Sequence, residues 1–121
     1  MNTLIIAMTS IILSVAAQFA LKNGMSSIEV KEALSQPTAL RTIFVILTNK
    51  FVIGGFLLYG LGAVVWLGVL SRWDVSKAYP LVGIGFGLTV IVGFLLGEQI
   101  TMPRAVGVAL ICAGVFLVSR S

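Results

Sequence analysis

Histidine is absent from this 121-residue chain, and cysteine occurs once, as Cys112. A metal centre built on imidazole ligands is thereby excluded. A lone thiol forms no internal disulfide and says nothing about redox compartment. Charge is also scarce. Asp, Glu, Lys and Arg make up 10% of the residues, whereas a soluble domain carries roughly 25–35% of them on its surface. The four acids, Glu29, Glu32, Asp74 and Glu98, all fall outside the long apolar runs. No nucleophile–base pair, carboxylate dyad or phosphate-cradling loop is present. Neither an enzyme nor a bound metal or cofactor is expected.

What fills the chain instead is apolar: 59% of its residues are hydrophobic and the mean hydropathy is +1.12. Residues 1–21, 51–71, 78–97 and 105–119 contain no charged side chain. A helix needs about 20 apolar residues, with ~17 as a practical minimum, to cross a hydrocarbon core of ~30 Å. Three runs meet this directly. The fourth does so with Pro103 and Arg104 included, Arg104 and Arg120 reaching opposite interfaces along their aliphatic stems. The sequence therefore predicts an all-α membrane protein of one domain, residues 1–121. Four transmembrane helices, about 2–21, 51–71, 78–97 and 103–119, form an antiparallel bundle. A cleavable signal at the start is disfavoured: Asn2 and Thr3 supply no positive n-region, and Lys22 follows the apolar run.

Short connections near Arg72–Ser76 and Glu98–Met102 force antiparallel neighbours. The longer stretch between the first two spans is different. Ser26 to Leu34 reads as a short polar helix, and Pro37 starts another segment. There Leu40, Ile43, Phe44 and Leu47 recur at helical spacing between Arg41 and Lys50, a pattern suited to a helix on the membrane surface. The net charge of +4 comes from eight Lys and Arg at helix ends and loops, where they meet lipid head groups rather than nucleic acid. Five of them (Lys22, Lys31, Arg41, Lys50, Arg104) fall on one side and three (Arg72, Lys77, Arg120) on the other. That bias weakly favours a cytoplasmic long loop.

Polar residues inside the runs are the candidates for function. Ser14, Gln18 and Lys22 are four apart and share one helix face. Polar groups in hydrocarbon find partners or line a wet path. For Gln18 the path reading is preferred, because a buried amide needs several partners. For Ser14 interhelical bonding and a path stand equally. Ser76-Lys77-Ala78-Tyr79-Pro80 puts a cation and an aromatic at the membrane edge, either as an interfacial anchor or as a head-group site, with Pro80 in the first helical turn. Gly83 and Gly87 make a smooth notch beside Tyr79. Glu98 is solvated, pairs with Arg104, or meets a cationic group of a substrate. Trp66, in the second run, joins the substrate-contacting candidates. Gly107 and Gly114, one heptad apart, mark a packing seam within the fold or between chains.

At these residues the chain resembles the four-span members of the drug/metabolite transporter superfamily, over nearly its whole length. Small multidrug resistance proteins, proton-coupled dimers, match at Tyr79, Gly107 and Gly114, but where they carry an essential first-span glutamate this chain has Ser14. The small flippase subunits for aminoarabinose-phosphoundecaprenol are more similar, through Ser14-Val15-Ala16-Ala17-Gln18, Lys77-Ala78-Tyr79-Pro80 and the extended first loop. That resemblance implies flipping of a polyprenyl-phosphate-linked sugar across the bacterial inner membrane, for lipid A or cell-envelope glycan modification. It makes Ser14, Gln18, Lys22, Trp66, Lys77, Tyr79, Glu98 and Arg104 substrate-binding candidates. The expected partners are the lipid-linked sugar, membrane lipids, and a second copy or a related small subunit. A multidrug-type exporter of cations and a non-transporting membrane subunit are the alternative readings.

Overall fold

The computed structural model describes residues 2–36 and 38–121; the expected segment start at Pro37 lies outside them. The first span, α1, runs Thr3–Met25. Asn2 caps it, its side-chain oxygen accepting from the Leu4 N–H at 2.9 Å. The helix runs past Lys22 to Met25, so the cation sits on its last turn rather than beyond it.

Two short helices follow, α2 (Ile28–Leu34) and α3 (Ala39–Thr48). The Ser27 hydroxyl caps α2 by accepting from Val30 N–H. This helix is not polar all round, because Val30 and Ala33 are buried. The Thr42 hydroxyl donates to Ala33 O at 2.8 Å and ties α3 back to α2. Along α3 the expected stripe is confirmed: Leu40, Ile43, Phe44 and Leu47 are all exposed on one face. The second span, α4, is Lys50–Leu70. Asn49 caps it by accepting from Phe51 and Val52 N–H, while its amide donates to Ser27 Oγ at 3.2 Å. One side chain thus starts the second span and pins the long connection against it.

The third span, Val75–Leu95, starts three residues earlier than hydropathy predicts. It opens as α5 (Val75–Ala78), tightens into a 3-10 turn at Tyr79–Leu81, and continues as α6 (Val82–Leu95). Pro80 therefore lies in that turn rather than in a first α-turn; its missing N–H suits the change of hydrogen-bond pattern. Gly97, at φ +94°, ends α6. The Gly97 N–H donates to Phe94 O and the Glu98 N–H to Gly93 O, a Schellman closure that only a residue tolerant of positive φ provides cheaply. The last span, α7, is Met102–Arg120, capped by Thr101 with Pro103 in its first turn.

Four helices are thus long and apolar enough to cross a membrane. Their principal contacts run α4 to α1 to α6 to α7, a row rather than a closed ring. Glycines let the helices approach. A Cβ on Gly55 would lie 2.8 Å from Leu21, and one on Gly62 3.3 Å from Leu13 and Ser10 O, which makes these two the contact stripe of α4 on α1. Gly83 and Gly87 face Val115, Ile111 and Cys112, so the notch beside Tyr79 receives α7. Buried Ala7, Ile11, Val69, Ala78, Leu81 and Val115 form the core, at the end of the bundle where α1 begins and α4 finishes. Elsewhere large apolar side chains point outward, as lipid-facing surfaces require. α7 is the extreme case: only 6% of its apolar window is buried, against 28% for the third span.

Candidate functional site

Because the helices form a row, α4 and α6 both lean on α1 and leave a cleft between them. A cavity of about 500 Å³ fills it. From α1 it takes Ile11, Ser14, Val15 and Gln18, the i, i+3, i+4, i+7 face of one helix, with Ser10 beside them. α4 contributes Tyr59, Ala63 and Trp66, again one face. The third span contributes Tyr79 from the 3-10 turn, then Val82, Gly85, Phe86 and Thr89. Gly85 is the close approach that holds the α6 wall to α1: a Cβ there would lie 3.2 Å from Ile11. Tyr59, Tyr79 and Phe86 are exposed at the rim.

The polar groups divide in two. The Ser10 hydroxyl is buried and donates to Gly62 O at 2.7 Å, so it ties α1 to α4. The Thr89 hydroxyl donates to Gly85 O at 2.7 Å within its own helix. Ser14, Gln18, Tyr59, Trp66 and Tyr79 have no hydrogen-bond partner among the described residues; Gln18, Tyr59 and Tyr79 are exposed, and the half-buried Ser14 and Trp66 hold no polar atom sealed from solvent. Five neutral side chains thus converge with unspent donors and acceptors. Every residue of the lining is uncharged.

Of the sequence candidates, the structure brings Ser14, Gln18, Trp66 and Tyr79 together in this cavity. The other four lie outside its lining. Lys22 extends the Ser14–Gln18 face by one more turn of α1. Lys77 sits two residues before Tyr79, its Nζ 4.6 Å from the centre of the Trp73 ring. Glu98 and Arg104 have separate surroundings. The Glu98 carboxylate folds over Gly93, where a Cβ would lie 2.8 Å from Oε1. Arg104 Nη1 donates to Gln99 O at 2.8 Å. Gly107 and Gly114 have nothing within 4 Å of a notional Cβ, so both face away from the chain's own helices.

Tyr59, Phe86 and Thr89 also line the cavity, and the sequence did not mark them as substrate-contacting. Two carried a readable signal. Tyr59 and Trp66 are seven apart and so share a face, and Thr89 is the one hydroxyl between Val82 and Leu95. Phe86 carried none, since one aromatic in an apolar helix says nothing about the direction it faces.

No family model matches the chain, and no solved structure matches it. Among curated proteins, the "Probable 4-amino-4-deoxy-L-arabinose-phosphoundecaprenol flippase subunit ArnE" of Pseudomonas savastanoi is 45% identical over 62 residues, 50% of this chain and 54% of the relative. The chain therefore spans about half the length of the ArnE relatives it matches. The likeness to ArnF proteins is lower and longer. The subunit of Sodalis glossinidius is 30% identical over 123 residues, covering 93% of this chain and 86% of its own. That of Proteus mirabilis is 30% identical over 118 residues, covering 94% and 89%.

Proposed function

Since the chain belongs to the family of 4-amino-4-deoxy-L-arabinose-phosphoundecaprenol flippase subunits, we propose that it moves a polyprenyl-phosphate-linked sugar across the bacterial inner membrane, for lipid A or cell-envelope glycan modification. The observation that carries this reading is the uncharged cavity with unspent hydrogen-bonding groups and an aromatic rim. A lipid-linked sugar needs a polar route for its head and a side opening for its tail. Ser14, Gln18, Tyr59 and Tyr79 offer hydroxyl and amide partners for a sugar, and the opening between α4 and α6 faces the lipid. Lys77 at one end and Lys22 at the other supply cations for the phosphate, as a phosphate oxygen prefers a charged donor.

Length argues for a partner. Ile11 to Gln18 rises about 10 Å at 1.5 Å per residue, roughly a third of the hydrocarbon core. The rest of the crossing needs helix movement or a second chain. α7 presents Gly107, Leu110, Gly114 and Leu117 outward at heptad spacing, and it is the face on which a second copy or a related small subunit packs in this reading.

The multidrug alternative requires a carboxylate inside the membrane for a proton and a cation to share. Glu29, Glu32, Asp74 and Glu98 all lie outside the cavity lining. The two functions separate in proteoliposomes of the purified chain. A fluorescent lipid-linked sugar should become accessible to a membrane-impermeant reagent from the far leaflet, while quaternary ammonium dyes show no pH-gradient-driven efflux. Dye efflux driven by a pH gradient, without movement of the lipid, would return the exporter reading to first place.

A further inference from the structure

Two walls of the cleft end in opposite charges. Val82, Phe86 and Thr89 line the third-span wall, and Gly93 follows them on the same helical face, at i, i+4, i+7 and i+11. A carboxylate lies over that glycine. The positive φ of Gly97 turns the chain back, and the Glu98 N–H closes on Gly93 O at 2.9 Å. The Glu98 side chain then folds onto the bare glycine, with Oε1 2.8 Å from where a Cβ would stand. Glu98 thus prolongs the cavity wall one turn beyond Thr89. Across the cleft, Lys22 prolongs the Ser14–Gln18 face of α1 by one turn. Both lie at the end of the bundle away from the core of Ala7, Val69, Ala78 and Leu81.

Neither charge is spent inside the chain. Among the described residues the Glu98 carboxylate and the Lys22 ammonium make no ion pair and no hydrogen bond. Arg104, the cation nearest to Glu98 in sequence, gives its Nη1 to Gln99 O. Position also argues against a stabilising purpose for Glu98. The carbonyl end of a helix carries partial negative charge, so a carboxylate just past the last turn of α6 opposes the dipole. Those two negative features together attract a cation, and Glu98 is exposed and open to one.

We infer that Glu98 binds the ammonium of an amino-sugar head group at this mouth of the cleft, with Lys22 meeting the phosphate; the inference rests on the flippase reading. A glycosyl phosphate with a free amine is a zwitterion, and the mouth presents the complementary pair of charges. The head group named for the relatives has this pattern, a 4-amine on a sugar joined to phosphate. A sugar without an amine leaves Glu98 with water alone.

The test uses the purified full chain in lipid nanodiscs and isothermal titration at pH 7 with three short-chain probes: neryl phosphate, neryl phosphoarabinose, and neryl phospho-4-amino-4-deoxyarabinose. The amino sugar should bind roughly five- to tenfold more tightly than the neutral sugar. A charge-assisted hydrogen bond gives about tenfold or more, and solvent screening at an exposed carboxylate trims it. Glu98→Gln should abolish that preference while neutral-sugar affinity stays the same, and Glu98→Asp should restore part of it. Lys22→Gln should weaken all three phosphate probes and leave the ratio of amino to neutral sugar intact. Without any substitution, the preference should fade as rising pH deprotonates the amine. Asp74→Asn, at the Lys77 end, should change nothing in that ratio. A preference that survives Glu98→Gln, or that is lost in Asp74→Asn instead, overturns the Glu98 site and leaves the flippase reading in place. Equal binding of the two sugars at pH 7 does the same. Binding of both sugars no better than neryl phosphate overturns the flippase reading, and the Glu98 site falls with it.

Discussion

Gln18 stands one helical turn from Ser14 and one from Lys22, and its amide has no partner within the described chain. A packing role would have paired that amide, as Ser10 is paired with Gly62 O across 2.7 Å. Ser10 is thus a structural tie, while Gln18 is left for the path in the proposed reading. Gln18→Leu removes polarity from the path while suiting an apolar wall, so transport should fall with inserted protein unchanged. Lys77 makes the complementary case. A charge-assisted hydrogen bond to phosphate is worth roughly 1.5–3 kcal/mol, so Lys77→Ala should weaken substrate handling about tenfold or more, and Lys77→Arg less. Its stacking on Trp73 also fits a plain interfacial anchor. An anchor would show instead as lower membrane yield with transport per inserted molecule intact, so transport normalised to inserted protein separates the two. The sequence made Ser14 and Gln18 visible because polar residues are conspicuous in apolar runs. It left Phe86 invisible because facing direction depends on which helices become neighbours.

Among the elements, the spans were legible and their relations were not. Charge-free length alone placed four helices, with α4 and α7 within a residue of expectation at either end. Hydropathy starts the third span late because the Lys77 charge interrupts the apolar run, and it carries the span two residues past Leu95; one turn of helix forms at Val75–Ala78 before the 3-10 turn that holds Pro80. Glycines look alike in sequence, yet contacts sort them. Gly55→Leu would drive a side chain into Leu21, and overpacking of this kind costs about 1–3 kcal/mol. It should lower the melting temperature in detergent. Gly114→Leu meets open space, so the fold should hold while crosslinked dimer in membranes declines. Unchanged dimer with lost stability would put Gly114 inside the fold instead. α3 carries its own expectation. With Leu40, Ile43, Phe44 and Leu47 exposed on one face beside Arg41, it is expected to lie in the head-group region. Tryptophan at Phe44→Trp should emit as in an apolar setting and be quenched by brominated lipid. Water-like emission without quenching would remove α3 from the bilayer.

For the whole molecule, the row of helices is the consequential feature. A closed four-helix bundle would bury its polar stripe. This arrangement leaves α1 as a floor with α4 and α6 as walls, open on one side, and puts α7 at the far end with most of its surface uncovered. Four crossings would place both termini on one side. Cysteine labelling at Asn2 and Ser121 with an impermeant reagent should find equal access, and opposite access would refute the topology. The row was not readable from hydropathy, which counts crossings without ordering them. The central claim is that the head group travels between α4 and α6 along α1. A lipid-linked sugar bearing a diazirine on its sugar ring, photolysed in proteoliposomes and mapped by mass spectrometry, tests this most directly. Label on Ser14, Gln18, Tyr59, Tyr79 or Phe86 is the predicted result. Label confined to α3, or to the outward face of α7 around Gly107 and Gly114, would contradict it.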